Sequence, residues 1–573
     1  MPDPLTALAA TLILGGMLRK LYVRLQLSFA KHPSVRGHAK WSRRLAKLVP
    51  NFGYSDERFF CSDDAPAEIE NARRTGYQNL LREAVTQSPK SIETSLSLAH
   101  SVSDIRFTNA YRVPFPYRDG ISSRLKTTPI VEETDDVRIK DIDGTWRYDL
   151  SGSYGLNVFG YDFYKQCLAA GAQKAEELGP VLGPYHPLLA DNVAALKRIS
   201  GLDEVSFHMS GTEAVMQAVR LARYHTTRTH LVRLCGAYHG WWDGVQPGVG
   251  NRRSHKDIYT LADLSEHTLR VLRTRKDIAC VLINPMQAFH PNRDSASDAS
   301  LLSSARKTDF DKEKYTKWLQ KIREICTARK IVLIFDEVFT GFRLGKRGAQ
   351  EYFGIHADMV TYGKTVGGGL PIGVVCGRSE LMQRYRGHAP ADVSLARGTF
   401  NSHPYVLGAM HEVLQRVESD ELNDTYGNAE RIWTERVERL NRKLTDCDLP
   451  VALSNMHSVI SVSYTTPSRY NWMFQFYLRN EGLELAWIGS GRFIMSLAYS
   501  DVQFDEVEKR FISAAEKMKN DGWWWADSTL TNQKIVQMFV KDLLISKFKK
   551  RSTNQPVPNI DVSGPKIGET VSS

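Results

Sequence analysis

Short, wholly apolar runs alternate with amphipathic stretches through the middle of the chain. Leu231-Val232-Arg233-Leu234, Ala279-Cys280-Val281-Leu282-Ile283, Ile331-Val332-Leu333-Ile334-Phe335 and Gly373-Val374-Val375-Cys376 are the short runs, and helical patterns separate them from about Pro184 to Gly377. Strands buried on both faces read this way, because helices cover each side of a parallel sheet. The alternation predicts an α/β protein with a mostly parallel, doubly wound sheet. Upstream, Val137 to Asp141 alternates, turns at Asp143-Gly144 and resumes through Trp146 to Leu150, the pattern of a β-hairpin. From Asn401 onward, long helical patterns are joined by strands such as Val459–Ser463 and Arg492–Leu497, which predicts a second, smaller α/β domain. Asp56 to Val102 reads as helical and polar, and Asp294 to Lys314 as a surface loop leading into a helix. The Pro/Ser/Asn-rich tail from Ser552 reads as disordered.

The N-terminus departs from this rhythm. Leu5 to Leu18 is a continuous apolar run, extended by the amphipathic Leu21 to Leu27. A bilayer-spanning helix needs about 20 apolar residues, and this run is shorter. A cleaved signal peptide carries its cations before the apolar run; here Asp3 precedes it and Arg19, Lys20 and Arg24 follow. Two placements fit. The helix lies on or dips into a membrane with the basic segment on the cytoplasmic face, or it packs on the rest of the molecule or on a second copy. The boundaries that result are 1–50 for a basic N-terminal extension, 51–136 for a helical lead-in with part of the small domain, 137–400 for the large domain, 401–520 for the small domain, and 521–573 for a helix followed by a disordered basic tail.

Composition adds little about the fold and more about location. At 573 residues, 42% hydrophobic and 24% charged, the chain can bury one or two large cores. Its net charge of +11 is unevenly placed. No Asp or Glu lies between Pro4 and Ser55, where Arg19, Lys20, Arg24, Lys31, Arg36, Lys40, Arg43, Arg44 and Lys47 all fall. Lys547-Phe548-Lys549-Lys550-Arg551 repeats the theme. An anionic surface, membrane or nucleic acid, suits such ends. The seven cysteines are scattered, with no Cys-x-x-Cys pair, which favours a reducing compartment and argues against a disulfide framework or a zinc site.

Chemistry concentrates after the Ile331 strand. It runs into Asp336-Glu337 where a strand should stop, and Tyr362-Gly363-Lys364 then opens a turn of small residues through Gly369. Ligands of parallel sheets bind at the carboxyl ends of strands. An acid there and a lysine on a Gly-rich loop suit a pyridoxal phosphate site, with the acid keeping the pyridine nitrogen protonated and the lysine carrying the Schiff base. Ser210-Gly211-Thr212 before an apolar-periodic helix offers free N–H groups and a positive dipole end to a phosphate, although such a trio is more often only a cap. Tyr238-His239-Gly240 follows another strand, where Tyr238 either stacks on a ring or belongs to the core. Asn284-Pro285-Met286-Gln287 also ends a strand, and Arg397-Gly398-Thr399-Phe400 makes a polar turn ahead of a helix.

Taken in order, Ser-Gly-Thr-Glu-Ala, Tyr-His-Gly, Phe-Asp-Glu-Val-x-Thr-Gly-Phe-Arg, Tyr-Gly-Lys and Gly-Thr-Phe resemble the class III pyridoxal-phosphate aminotransferases over roughly Val137 to Lys519. The resemblance implies the fold type I architecture and a homodimer with a shared active site. It implies Lys364 as the Schiff-base lysine, Asp336 at the ring nitrogen, Val338 behind the ring and Tyr238 in front of it. Ser210, Gly211 and Thr212 would form the phosphate cup, Thr399 would reach the phosphate from the partner, and Gln287 would sit near the ring hydroxyl. One departure stands out: Asn284 occupies the place of a family glutamate, so no charge is carried over there. Gly369 to Val375 with Gln287 to Pro291 is most similar to the branch that contains glutamate-1-semialdehyde aminomutase and the polyketide- and prodigiosin-pathway aminotransferases. Phe400–Pro404 and Gly348–Tyr352 resemble the prodigiosin-type enzymes, which aminate a keto-aldehyde chain.

That resemblance implies transfer of an amino group from an amino-acid donor to a carbonyl acceptor, free or held on a carrier protein. The cysteines and the N-terminal helix point to a cytoplasmic location, with the inner face of the membrane as its narrower form, and no nucleic-acid partner is expected. An intramolecular aminomutase is the alternative, and a non-catalytic membrane-bound scaffold is a third reading. Arg112, Arg118, Arg343 and Arg492 are the cations available to a donor carboxylate, with Arg343 equally readable as structural. The aromatic stretch Tyr111–Arg118 together with Trp487 would line a tunnel for an acyl chain.

Overall fold

A computed structural model of the chain describes residues 4–31, 52–99, 101–111, 113–122, 125, 129–246, 251, 253, 256–285, 310–486 and 491–548. Among these residues the central sheet has seven strands: β4 (Glu204–His208), β5 (His230–Leu234), β6 (Ile258–Leu261), β7 (Ile278–Ile283), β8 (Val332–Asp336), β9 (Met359–Gly363) and β10 (Gly373–Gly377). Their order is β4-β10-β9-β8-β7-β5-β6. Pairings among β6, β5, β7, β8 and β9 are parallel, while β10 runs antiparallel to both β9 and β4. The connection from Lys364 to Ile372 is too short for the crossover a parallel partner requires, so β10 must turn back. Among these strands, the apolar runs had marked β5, β7, β8 and β10; β4 and β6 carry charged or polar residues at alternate positions and stand out less.

Every residue of β7 and β8 is buried, and their side chains divide between two cores by strand alternation. Leu333 and Phe335 join Val281, Ile283, Val360 and Val374 on one face. Val332 and Ile334 join Cys280, Leu282, Met359 and Val375 on the other. Helix α4 (Gly211–Thr226) covers the second face through Ala214, Val215, Ala218 and Leu221. Helices α5 (Glu266–Thr274), α6 (Lys312–Arg329) and α7 (Pro404–Glu418) cover the first, together with α3 (Tyr161–Ala175). That is the doubly wound arrangement expected from the alternation.

A further core unites segments from both ends of the chain. Helix α2 (Ala67–Gln87), β2 (Arg138–Asp141), β3 (Trp146–Asp149), α8 (Asn423–Asp446) and α9 (Asp501–Asn520) meet around Tyr77, Leu150, Trp433, Phe511 and Trp523. Two small sheets flank it: β1 (Val131–Asp135)-β2-β3-β15 (Leu483–Glu484), and β13 (Val451–Met456)-β14 (Val459–Tyr464)-β16 (Arg492–Ile494). A separate ribbon, β11 (Tyr385–Arg386) with β12 (Ala389–Val393), lies ahead of α7. The last helix, α10 (Asn532–Phe548), is tied down where Asp542 accepts from the Tyr54 hydroxyl at 2.8 Å.

Among the described residues, the first helix, α1 (Pro4–Ala30), docks through its C-terminal end. The Ala30 carbonyl accepts from the Ala262 amide at 2.8 Å, Phe29 meets the His267 ring with centroids 5.8 Å apart, and Leu27 packs on the first core. Leu8, Leu12, Ile13, Leu14, Met17 and Leu18 stand exposed. Packing on the rest of the molecule therefore accounts for the last turns of α1 and not for its apolar run.

Candidate active site

β8 delivers Asp336 to its carboxyl end, opposite Thr361 of β9. The carboxylate is buried and held from three directions. His239 Nδ1 lies 2.7 Å from Oδ2, the Val338 amide donates to Oδ1 at 3.2 Å, and the Thr361 hydroxyl donates to Oδ1 at 3.4 Å. His239 is itself buried, and its Nε2 has no hydrogen-bond partner among the described residues. The neighbouring Glu337 points elsewhere, accepting from the Ala349 amide at 2.6 Å. Burial pushes its carboxyl up to about 8. Two adjacent acids thus have opposite environments, one facing an imidazole and one stranded in the core.

β9 ends at Gly363, and Lys364 opens the one-turn 3-10 segment Lys364–Gly367. The φ of Lys364 is +50°, a left-handed conformation that non-glycine residues adopt only when their surroundings impose it. Its Nζ sits 5.1 Å from the centre of the Phe339 ring. Burial lowers the amine to about 8; the Arg343 charge works in the same direction and the Asp336 charge against it. An amine so placed is partly neutral near pH 7.5, as a nucleophile or proton carrier requires.

The start of α4 closes the site. Ser210 is its N-cap, and its hydroxyl accepts from the Glu213 amide at 3.2 Å. A Cβ on Gly211 would lie 2.6 Å from Val338 Cγ1, and one on Gly363 would lie 3.2 Å from the same atom. Gly240, at φ +87°, leaves no room either: its Cβ would lie 2.5 Å from Thr212 Oγ1. The helix start, the His239-Gly240 turn, Val338 and the end of β9 therefore touch backbone to side chain around one point. Tyr238 sits beside them with an exposed ring, its hydroxyl pushed above its ordinary pKa by partial burial and by the Asp336 charge.

The remaining residues singled out from the sequence fall outside this contact set or outside the described residues. Thr399 is exposed in the turn ahead of α7, where Glu213 Oε2 lies 3.8 Å from the Cβ position of neighbouring Gly398. Arg118 donates from Nε to the Val113 carbonyl at 3.1 Å, and Arg492 opens β16 opposite Ser461 of β14. Gln287, Arg112 and Trp487 lie outside the described residues. Arg343 resolves in favour of structure. Wholly buried, it donates to Ser458 Oγ at 2.9 Å and to the carbonyls of Met495, Gly155 and Asn157 at 2.6, 3.2 and 3.4 Å. Burial lowers it to about 10, with the Tyr164, Tyr426 and Asp149 charges working against that.

Three features of the site escaped the sequence reading. His239 was visible only as an imidazole beside Tyr238. Phe339 sat inside a motif without an assigned task. The third is the turn Gly152-Ser153-Tyr154-Gly155, where all four residues have positive φ and Phe339 packs on Gly155. Its signal was the glycine pair just beyond the hairpin.

A family model of class III aminotransferases matches residues 122–261 and 312–515. The chain belongs to the class III aminotransferase family. Its cofactor is therefore pyridoxal 5′-phosphate, and it is a pyridoxal-phosphate-dependent transaminase of fold type I. A glutamate-1-semialdehyde 2,1-aminomutase of Methanocaldococcus jannaschii is 33% identical over 305 residues, covering 50% of this chain and 66% of that protein, just under two thirds of its length. One from Alkaliphilus oremlandii is 30% identical over 401 residues, covering 67% of this chain and 89% of that protein. Among solved structures, a transaminase with PLP bound aligns with TM-score 0.58 at 25% identity over 72% of this chain and 94% of its own. A glutamate-1-semialdehyde aminomutase from Pseudomonas aeruginosa PAO1 shares the fold, with TM-score 0.63 at 18% identity over 78% of this chain and 99% of its own.

Proposed function

We propose that this transaminase moves an amino group from an amino-acid donor to an aldehyde or ketone in two half-reactions, with an aliphatic keto-aldehyde of a secondary-metabolite route as the favoured acceptor. The observation that carries the reading is the convergence of Lys364, the Asp336–His239 pair and the start of α4 on one point. The residues fit pyridoxal phosphate. A buried carboxylate awaits a ring nitrogen, a helix N-terminus awaits a phosphate, and Val338 lies between them. Bound there, the cofactor supplies the electron sink that lets the Cα–H bond of an amino acid ionise.

The chain's own groups do the rest. Ser210, Gly211 and Thr212 bind the phosphate with amide and hydroxyl donors at the positive end of the helix dipole, and Thr399 adds a contact from the partner subunit of a homodimer. Asp336, oriented by His239, holds the proton on the ring nitrogen. Val338 and Tyr238 would hold the ring from its two faces, and Gln287 would serve its hydroxyl. Lys364 would hold the cofactor through its amine and would carry the proton away from the substrate Cα. Arg343 is committed to main-chain carbonyls; Arg112, Arg118 and Arg492 are the arginines we assign to a donor carboxylate, and Trp487 with the Tyr111–Arg118 stretch would receive an acyl chain, free or carrier-bound. The exposed apolar run of α1 favours an enzyme held at the cytoplasmic face of a membrane.

A second reading, an intramolecular aminomutase, is favoured by the names of the curated relatives. Donor alone separates the two. A transaminase releases one keto acid per site and leaves the cofactor in its amine form, whereas an aminomutase without its own substrate releases none. An aldehyde series of rising chain length then tests the tunnel, since equal rates for short and long chains would remove it.

A further inference from the structure

Leu8, Leu12, Ile13, Leu14, Met17 and Leu18 of α1 are 57% to 69% exposed. At about 100° per residue, these positions point to every side of the helix. A helix that is apolar all round is stable when an apolar medium surrounds it, whereas an in-plane interfacial helix needs one polar face. The charged residues from Pro4 to Lys31 are all cations, and Arg19, Lys20 and Arg24 are exposed just beyond the apolar run. Among the described residues, the body of the protein grips the helix past these cations, through Leu27, Phe29 and Ala30.

We propose that α1 enters an anionic lipid leaflet end-on, N-terminus first, down to Leu18. Arg19, Lys20 and Arg24 then lie among the headgroup phosphates and the folded body stays outside. This rests on the membrane reading above and adds orientation, depth and lipid charge to it. From Pro4 to Leu18 the helix rises about 22 Å at about 1.5 Å per residue, against a hydrocarbon core of about 30 Å. Pro4 therefore reaches past the bilayer midplane. Among the described residues no helix is long and apolar enough to cross a membrane.

A second copy of the chain is the poorer occupant. Side by side in parallel, two such helices would bring Arg19, Lys20 and Arg24 against their own duplicates, with no acid between Pro4 and Ser55 to offset them. Antiparallel pairing would lay those cations on leucines. Lipid phosphates supply the missing anions and the acyl chains supply the apolar surroundings, so one partner satisfies both demands.

The test uses the full-length holoenzyme and vesicles of phosphatidylcholine with or without phosphatidylglycerol. The protein is expected to float with the anionic vesicles. The triple variant Arg19→Gln, Lys20→Gln, Arg24→Gln should partition about 100-fold less, since each cation near an anionic surface contributes roughly fivefold. Leu12→Asp with Met17→Asp should abolish flotation while the donor half-reaction in solution is unchanged. For depth, an environment-sensitive fluorophore is placed on Leu8→Cys, Leu14→Cys or Tyr22→Cys after Cys61→Ser and Cys447→Ser, the other five cysteines being buried. Deep lipid quenchers should act on positions 8 and 14, and headgroup quenchers on position 22. Uniform shallow quenching at all three would overturn the end-on insertion while leaving membrane binding in place. No flotation with either vesicle would overturn both, and the half-reaction would still report on the transaminase reading. Assembly beyond a dimer that Leu12→Asp with Met17→Asp dissolves would overturn the proposal in favour of a second copy.

Discussion

His239 Nδ1 lies 2.7 Å from Asp336 Oδ2, and both side chains are buried. A buried carboxylate needs its orientation fixed, and the imidazole does this at Oδ2 while the Val338 and Thr361 donors hold Oδ1. Asp336→Asn should lower kcat/KM on the order of 10²–10⁴-fold, the range for loss of a group that controls a proton. His239→Phe should cost about ten- to hundredfold, as when an orienting partner is removed. The cofactor's visible spectrum should shift in both variants. An unchanged spectrum and rate in His239→Phe would make the contact merely structural.

Lys364 has a folded pKa of about 8, well below the 10.5 of a free lysine. Its amine is protonated below about pH 8 and neutral above. The rate at which the apoprotein captures pyridoxal phosphate should therefore climb with pH, pass half-maximum near 8 and level off. Stopped-flow absorbance from pH 6 to 10 measures it. A half-maximum near 10.5 would show that burial does not tune this amine.

Glu337 is raised to about 8 by burial. From pH 4.5 to about 8 the unfolded chain ionises this group while the folded protein keeps it protonated, so the folded state loses relative stability as pH rises. Glu337→Gln removes the titration and keeps an oxygen to accept from the Ala349 amide. Its Tm should fall less than the parent's between pH 5 and 8 in scanning calorimetry. Parallel Tm profiles would mean that Glu337 is ionised in the fold.

Arg343 joins Met495 and Ser458 to Gly155 and Asn157. Arg343→Lys cannot reproduce this fork, and each buried carbonyl left unpaired costs about 1–3 kcal/mol. A lower Tm with the donor KM little changed is expected. The reverse, a preserved Tm with donor KM raised more than about tenfold, would return Arg343 to the substrate.

Much of the fold was legible because its signals are local. The Ile331 run could only be a strand covered on both faces, and its end had to present Asp336. The small residues after Gly363 had to turn, and Ser210-Gly211-Thr212 had to open a helix. These follow from side-chain periodicity and from the backbone limits of glycine, which a few neighbouring residues settle between them. The reversal of β10 was not part of that reading, although its short connection from β9 explains it. What only the tertiary structure decided depends on partners far apart in the chain. Asp336 meets an imidazole 97 positions earlier, and Arg343 is consumed by carbonyls from two distant segments. Lys364 loses its proton affinity to burial that no local pattern records, and Glu337 parts company with its neighbour for the same reason. The first helix is the converse case: its apolar run is plain in the sequence, but only the folded chain shows Leu8, Leu12, Ile13, Leu14, Met17 and Leu18 exposed. Desolvation and long-range pairing belong to the assembled molecule, and the chemistry of the site is set there.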